Sequence, residues 1–385
     1  MNKHVFIIIV ISCMLITGNI FAESVRIDEI IVTGSSTEMP RSVIPASVTV
    51  ISEKDIKESG VSNVSDLLRN VPGLDVVQPG GVGKASSVFI RGANSSHTLV
   101  LIDGIRVNSP TTGRFDFADL SVDNIERIEI IRSPMSTLYG SEAMGGVIQI
   151  FTKRGSLTGG SVAFEAGSFG TTKESISTGI RKEYYDINLT ASRFDTEGFS
   201  TIASGSENDS YENTNISSKI GIHRPGTTIG FTAQLTDAKT EIDGFDYTTF
   251  AESDDLNNRT NRRWSLLGFN ILSSMSNNWD NSFSISTSNE RIEGIDEDTP
   301  DNRSKLNTKI TSADWHINIK SADGNKLTLG YERQKKGGEV ISSGGTYSKS
   351  FNNNAFYVQD SRNLNPSALL FAALRWDESG LYESA

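Results

Sequence analysis

The chain has 385 residues, enough for two or more domains, and its formal net charge of -11 at pH 7 excludes a general nucleic-acid-binding role. Hydrophobic residues make up only 36%, low for a globular protein of this length, and glycine occurs 34 times, so the composition suits either disorder or a barrel with a wet interior.

Residues 1–22 read as a secretory signal. Lys3 gives the positive start, Val5 to Ile11 is apolar and continues through Met14-Leu15-Ile16, and Ile20-Phe21-Ala22 offers a cleavage site before Glu23. A transmembrane anchor is the rival reading, but the run is short and lacks a stop-transfer flank. Val10-Ile11-Ser12-Cys13 loosely fits a lipoprotein cleavage site, although the apolar run continues past it. Cys13 is the only cysteine, so cleavage after Ala22 leaves no disulfide, thiolate metal site or cysteine nucleophile. Beyond the signal no apolar run approaches about 18 residues, so a membrane role has to come from a β-barrel.

Residues 23–34 hold the extended, β-branched segment Asp28-Glu29-Ile30-Ile31-Val32-Thr33-Gly34. It suits strand addition to a partner, where backbone hydrogen bonds supply the hold, and it equally suits an ordinary first strand. Residues 35–155 read as one compact α/β unit. A strand is expected over Ser47–Ile51, then a short helix started by Ser52 with Asp55 and ended near Gly60. A second helix over Ser62–Asn70 carries Val64, Leu67 and Leu68 on one face and stops at Pro72-Gly73. Strands follow at Leu74–Val77, Val88–Ile90 and Leu99–Ile102, the last two ending in Arg91-Gly92 and Asp103-Gly104, where glycine lets the chain turn sharply. Glu126 to Arg132 alternates charged and aliphatic residues, as a strand with one wet face does. The glycines of Gln78 to Gly83 form a flexible loop, and no Lys-Ser/Thr or helix follows to make them a phosphate cradle.

From Gly159 onward, segments with apolar side chains at every second place alternate with polar loops. Asp186 to Ser192, Ser282 to Ser286 and Trp315 to Lys320 show it most clearly. About eleven such strands are expected, near 160–167, 171–181, 184–195, 213–223, 227–241, 261–273, 279–292, 304–320, 325–337, 350–362 and 368–377, each with one face to lipid and one to a wet lumen.

The stretch Val-Phe-Ile-Arg-Gly-Ala-Asn-Ser-Ser-His-Thr-Leu-Val-Leu-Ile-Asp-Gly (88–104), with Leu138-Tyr139-Gly140-Ser141 and Gly145–Thr152, resembles the plug domain of TonB-dependent outer-membrane receptors. The likeness runs through about residues 28–155, and the Asn94-Ser95-Ser96-His97 loop is most similar to the cobalamin receptors of that family. The resemblance implies an α/β plug domain followed by an antiparallel transmembrane β-barrel over 159–385, in the outer membrane. It implies a transporter rather than an enzyme. The implied activity is energy-dependent uptake of a scarce chelate, foremost cobalamin, with a ferric siderophore or haem as the alternative. The implied partners are the TonB energy-transducing complex, which takes Asp28, Glu29, Ile30, Ile31, Val32, Thr33 and Gly34 as its TonB box, the chelate itself, and outer-membrane lipid. Residue by residue, Ala85, Ser87 and Asn94 fall on ligand-contacting positions of the plug, and Thr112 and Gly113 fall near another. Ser87 and Asn94 can hydrogen-bond the amide arms of a corrin, whereas His97 reads as a structural hydrogen-bonder. The family barrel has about twenty-two strands, so the chain reads as its front half: a fragment, a split gene product or a truncated, non-transporting product.

The resemblance also implies calcium on extracellular loops, for which Asp237, Asp243, Asp246, Asp254 and Asp255 supply oxygen ligands; solvated loop acids are the rival reading. No other cofactor is expected. No catalytic constellation is found: the four histidines lack metal-binding spacing, and no Gly-x-Ser-x-Gly elbow surrounds Ser96-His97.

Overall fold

The computed structural model describes residues 31–32, 39–40, 46–156, 159–202, 208–246, 251–253, 257–296, 303–321, 324–365 and 368–380. The expected signal at 1–22 lies outside these residues, as does the Asp28–Gly34 segment apart from Ile31 and Val32. Those two form β1 (Ile31–Val32), paired antiparallel with β2 (Met39–Pro40).

The plug begins at β3 (Val48–Ser52). Ser52 then caps helix α1 (Glu53–Ser59): the Asp55 amide donates to Ser52 Oγ at 3.3 Å, and the Ser52 amide donates back to Asp55 Oδ2 at 2.8 Å. The Ser52 hydroxyl, which donates to Asp55 Oδ2 at 2.6 Å, and then the Ser52 amide hold the Asp55 carboxyl below its usual range. Gly60 ends the helix in the left-handed region at φ 67°. Helix α2 (Val64–Arg69) buries Val64, Leu67 and Leu68, the face that the sequence marks as apolar. There follow β4 (Leu74–Val77), β5 (Ser87–Ile90), β6 (Thr98–Ile102), β7 (Ile105–Arg106), β8 (Ile125–Ile131), helix α3 (Ser136–Tyr139) and β9 (Gly146–Thr152).

Five of these strands make one sheet in the order β3-β8-β9-β6-β7, antiparallel except for β6 beside β9. Asp103 and Gly104, both left-handed at φ 48° and 80°, join β6 to β7 in a two-residue turn of the type that Asp-Gly favours in hairpins. All five residues of β6 are buried, because the sheet is covered on both faces. Val100 and Ile102 pack with the helices; Leu99 and Leu101 pack with Val48, Ile131, Ala143 and Val147. The expected wet face of the Glu126–Arg132 strand is not found. Glu129 is fully buried on β8, with Arg127 Nε 2.8 Å from its carboxylate. The charge alternation there marks a covered ion pair rather than water, because a second layer of protein covers the plug.

That layer is an antiparallel sheet of β10 (Ser161–Ala166), β11 (Thr172–Arg181), β12 (Tyr185–Thr196), β13 (Tyr211–Arg224), β14 (Thr227–Glu241), then, after a small hairpin of β15 (Gly244–Asp246) and β16 (Ala251–Ser253), β17 (Asn258–Ser276), β18 (Trp279–Asp296), β19 (Ser304–Lys320), β20 (Lys326–Ser342), β21 (Gly345–Asn365) and β22 (Ala368–Ser379). The eleven strands match the eleven expected positions, and several run further than the apolar alternation does. Among the described residues β10 pairs only with β11 and β22 only with β21, so the sheet is not closed. Its polarity is inverted. Along β12, Asp186, Asn188, Thr190 and Ser192 are buried, while Leu189 between them is 47% exposed. Outward Phe283, Trp315, Tyr331, Phe356 and Trp376 lie in register across five adjacent strands, β18 to β22. This is the apolar-out, polar-in alternation of a lipid-facing barrel wall.

Plug contacts reach from β11, where Lys173 pairs with Asp123, to β22, where Arg375 donates to the Leu138 carbonyl, so the wall wraps round the plug. The strand connections at 182–184, 225–226, 277–278, 321–325 and 366–367 share one end and are all short; at the other end 197–210, 242–257 and 297–303 are long, while 167–171 and 343–344 are short. Short turns mark the periplasmic end of such a wall and long loops the outer end.

Candidate functional site

Three plug loops converge at the long-loop end. The first, before β5, is held by the wall: Lys84 Nζ lies 2.9 Å from Asp209 Oδ1, and Thr240 donates to the Gly83 carbonyl at 3.2 Å. A Cβ added at Gly83, where φ is +82°, would meet the Tyr211 ring at 2.1 Å, so only glycine lets this loop lie against the aromatic ring. The second loop, 94–97, is a short 3-10 turn in which Asn94 Oδ1 accepts from the Ser96 amide at 3.1 Å. The third, 109–116, leans on the second. Gly113 sits so close to Ser96 that an added Cβ would come within 2.9 Å of the Ser96 Cβ, and Asn108 Nδ2 donates to the Gly113 carbonyl at 3.0 Å.

These contacts gather the expected ligand residues at one apex. Ala85, Asn94 and Thr112 are exposed, and Ser87 and Gly113 are half-buried. Asn94 spends its carbonyl oxygen on its own turn, so its capping role is as visible as any ligand role. The backbone of His97 holds this turn: its N–H donates to the Asn94 carbonyl and its carbonyl accepts from Gly145. Arg114 was not singled out by the sequence; its guanidinium lies 3.5 Å from Ser87 Oγ and is exposed at the same apex.

Below the apex, one barrel residue ties two loops together. Arg262 on β17 donates to Asp116 Oδ2 at 2.6 Å and to Asp119 Oδ2 at 2.9 Å. The other oxygen of Asp116 accepts the Ser86 amide at 2.8 Å, between Ala85 and Ser87. The other oxygen of Asp119 accepts from the Tyr211 hydroxyl at 2.9 Å. Burial pushes the Asp119 carboxyl above its ordinary range, and the charge of Arg262 opposes that rise. A second junction joins β7 to the wall: Arg106 Nε lies 3.0 Å from Glu332 Oε1, and Arg375 Nη2 lies 2.7 Å from Glu332 Oε2. At the short-turn end, Asp103 accepts from Lys219 on β13 and from Thr152.

The calcium candidates are only partly described. Asp237 points outward from β14 and is ion-paired to Arg263, and Asp243 accepts from Thr201. The side chain of Asp246, and the residues Asp254 and Asp255, lie outside the described set. Among the described residues no cluster of three metal-ligating side chains occurs.

The fold defines a class: a plug with a lipid-facing β-barrel wall wrapped part of the way round it. Residues 40–147 match the family described as TonB-dependent Receptor Plug Domain, so this part of the chain is such a plug. Among solved structures the chain is similar to Pseudomonas aeruginosa FpvA bound to a heterologous pyoverdine with iron, with TM-score 0.74 at 15% identity, covering 90% of this chain and 53% of that one. It is similar to Fiu, the ferric-catecholate import receptor of Escherichia coli K12, with TM-score 0.70 at 17% identity, covering 88% and 60%. It is similar to a mutant of PfeA, the ferric enterobactin receptor of Pseudomonas aeruginosa, in complex with enterobactin, with TM-score 0.68 at 19% identity, covering 86% and 58%. At these identities the likeness is one of fold, and the chain spans 53 to 60% of the length of these chains.

Proposed function

We propose that the protein serves TonB-driven uptake of a ferric chelate across the outer membrane, with the chelate landing on the plug apex at Ala85, Ser87, Asn94, Thr112 and Gly113. The observation that carries this reading is the convergence of the three plug loops at the long-loop end, each tied to its neighbour or to the wall. The ferric class is supported by the ligands named for FpvA, Fiu and PfeA, and by the exposed charge of Arg114 beside Ser87, which suits an anionic complex better than the neutral amide arms of a corrin. Cobalamin, implied by the Asn94–His97 loop, is the second reading.

In the same proposal residues 1–22 are removed on export, and Asp28–Gly34 pairs with TonB as an added strand. Binding alone supplies no net uphill work, so energy has to enter from that side. The test is binding of iron-labelled enterobactin, pyoverdine and citrate to the purified protein, each challenged with unlabelled cyanocobalamin. Saturable binding of a ferric chelate that cyanocobalamin leaves unchanged is expected, weakened by Arg114→Ala. Binding of cyanocobalamin with no ferric chelate retained would overturn the ferric reading in favour of the second.

A further inference from the structure

Arg262 faces one carboxylate more than its hydrogen bonds use. Beyond Asp116 and Asp119, Glu290 on β18 lies with Oε1 3.5 Å from Arg262 Nε, and none of the four side chains is more than 18% exposed. That approach makes no hydrogen bond: among the described residues Arg262 Nε is buried without a partner. The charged and titratable groups that meet here are Asp116 and Asp119 from the plug, Tyr211 from β13, Arg262 from β17 and Glu290 from β18. Thr236 from β14 and Thr308 from β19 are neutral. Three carboxylates against one guanidinium leave two negative charges unbalanced. The three are unequally served. Asp116 accepts from Arg262 and from the amides of Ser86 and Ala118, at 2.8 and 3.1 Å. Asp119 accepts from Arg262 and the Tyr211 hydroxyl. Glu290 has a hydrogen bond with Thr308, its register partner on β19.

Whatever balances this charge has to be small. The space between Phe115, Asp119, Arg262, Trp264 and Glu290 is about 20 Å³, room for one water-sized occupant and too little for a hydrated cation. A proton fits, and carboxylates packed this closely share one rather than all ionising. The raised Asp119 carboxyl agrees with that. Opening changes the count. When the plug segment carrying Asp116 and Asp119 leaves the wall, both acids reach water. Arg262 and Glu290 stay behind on neighbouring strands as a pair balanced one to one.

We propose that Glu290 is a positioning residue of the plug apex and that the seam is proton-linked: closing takes up one proton from water, and opening returns it while Arg262 turns from Asp116 and Asp119 to Glu290. The apex follows the seam because Asp116 holds the Ser86 amide, between Ala85 and Ser87. The part played at the apex rests on the chelate reading; the proton linkage rests on the seam alone. A carboxyl that keeps its proton more tightly in the closed state favours closing on the acid side, so the seam loosens as pH rises through the raised value. The experiment follows backbone amide exchange of the peptide around Ser86 in the detergent-purified full chain, relative to the same peptide in the unfolded chain, from about pH 5 to about pH 8. Protection in the native chain should fall with rising pH, by up to roughly tenfold per pH unit where the proton leaves. Glu290→Gln keeps the shape, removes one of the crowded charges and takes away the alternative partner of Arg262. Its protection should be higher and nearly flat with pH, and Glu290→Asp should restore the slope. An unchanged slope in Glu290→Gln, or protection below that of the native chain, would overturn the linkage. Affinity for ferric enterobactin, measured on the native and Glu290→Gln chains side by side to cancel the titration of the chelate itself, should differ in slope in the same way. Equal slopes there would remove Glu290 from the apex. Exchange that follows pH as expected while no ferric chelate binds would support the linkage and sink the chelate reading.

Discussion

The plug and the wall use the same alphabet with opposite sign. In the plug sheet Val100 and Ile148 are buried at the centre and charges sit mainly at the rim. In the wall Asn188 is 5% exposed while Leu189 beside it is 47% exposed. The difference lies in the surroundings, since β propensity serves both equally well. The plug has protein on both faces of its sheet; the wall has a polar plug on one face and lipid on the other. At the seam, where neither water nor lipid is available, the two are joined by ion pairs and hydrogen bonds.

The seam gives the sharpest test. Arg262→Met leaves Asp116 and Asp119 buried against each other, and breaking such a pair costs about 3–5 kcal/mol. Urea unfolding of the full chain in detergent should show that loss, and it should be accompanied by release of the Ser86 loop to protease; an unchanged midpoint would mean that the seam is solvated. Inside the plug, Ile148→Ala at a fully buried position should cost about 2–5 kcal/mol by the same measurement, as core truncation does. On the wall, Leu189→Arg should cost about 2–4 kcal/mol in a bilayer, the depth-dependent range for a cation on a lipid face. A negligible effect there would show that β12 faces water, and the contrast between the two sheets would collapse. The smallest expected change is Ser52→Ala, a lost helix cap worth about 1 kcal/mol. Because Ser52 lowers the Asp55 pKa in the folded chain, this contribution is present above the ordinary carboxylate range and is lost as pH falls through the depressed value. The difference between the native chain and the variant should therefore shrink on acidification; a constant difference would leave the carboxylate no part in the cap.

What the sequence made legible was whatever has a local cause. The Ser52/Asp55 cap, the apolar face of α2, the turns at Arg91-Gly92 and Asp103-Gly104, and the eleven strand positions all follow from spacings of a few residues. Strand ends were less legible. β20 runs to Ser342 rather than 337 and β21 begins at Gly345 rather than 350, because above the lipid both faces of a strand are polar and the alternation disappears. The burial of Glu129 and the Arg106–Glu332 pair, 226 residues apart, have no local signature at all. Arg262 read as one charge in a polar strand; only the path of the wall round the plug sets it against Asp116 and Asp119. Asp237 falls inside the strand expected at 227–241, but its outward direction is set by register, which is not written in composition.

The position of β3 has a mechanical consequence. It is an edge strand of the plug sheet, hydrogen-bonded in that sheet only to β8, through five register pairs from Val48↔Ile131 to Ser52↔Arg127. Arg132 reinforces its first turn of chain, donating from its backbone to the Ser47 carbonyl at 2.9 Å and from its guanidinium to Thr49 Oγ1 at 2.9 Å. A tension applied to the chain ahead of residue 46 reaches this strand before any other in the sheet. It loads the outermost seam, which can peel while β6, buried at every position between β9 and β7, keeps all its neighbours. The sheet thus has a tear line, and the chain enters the fold at its start.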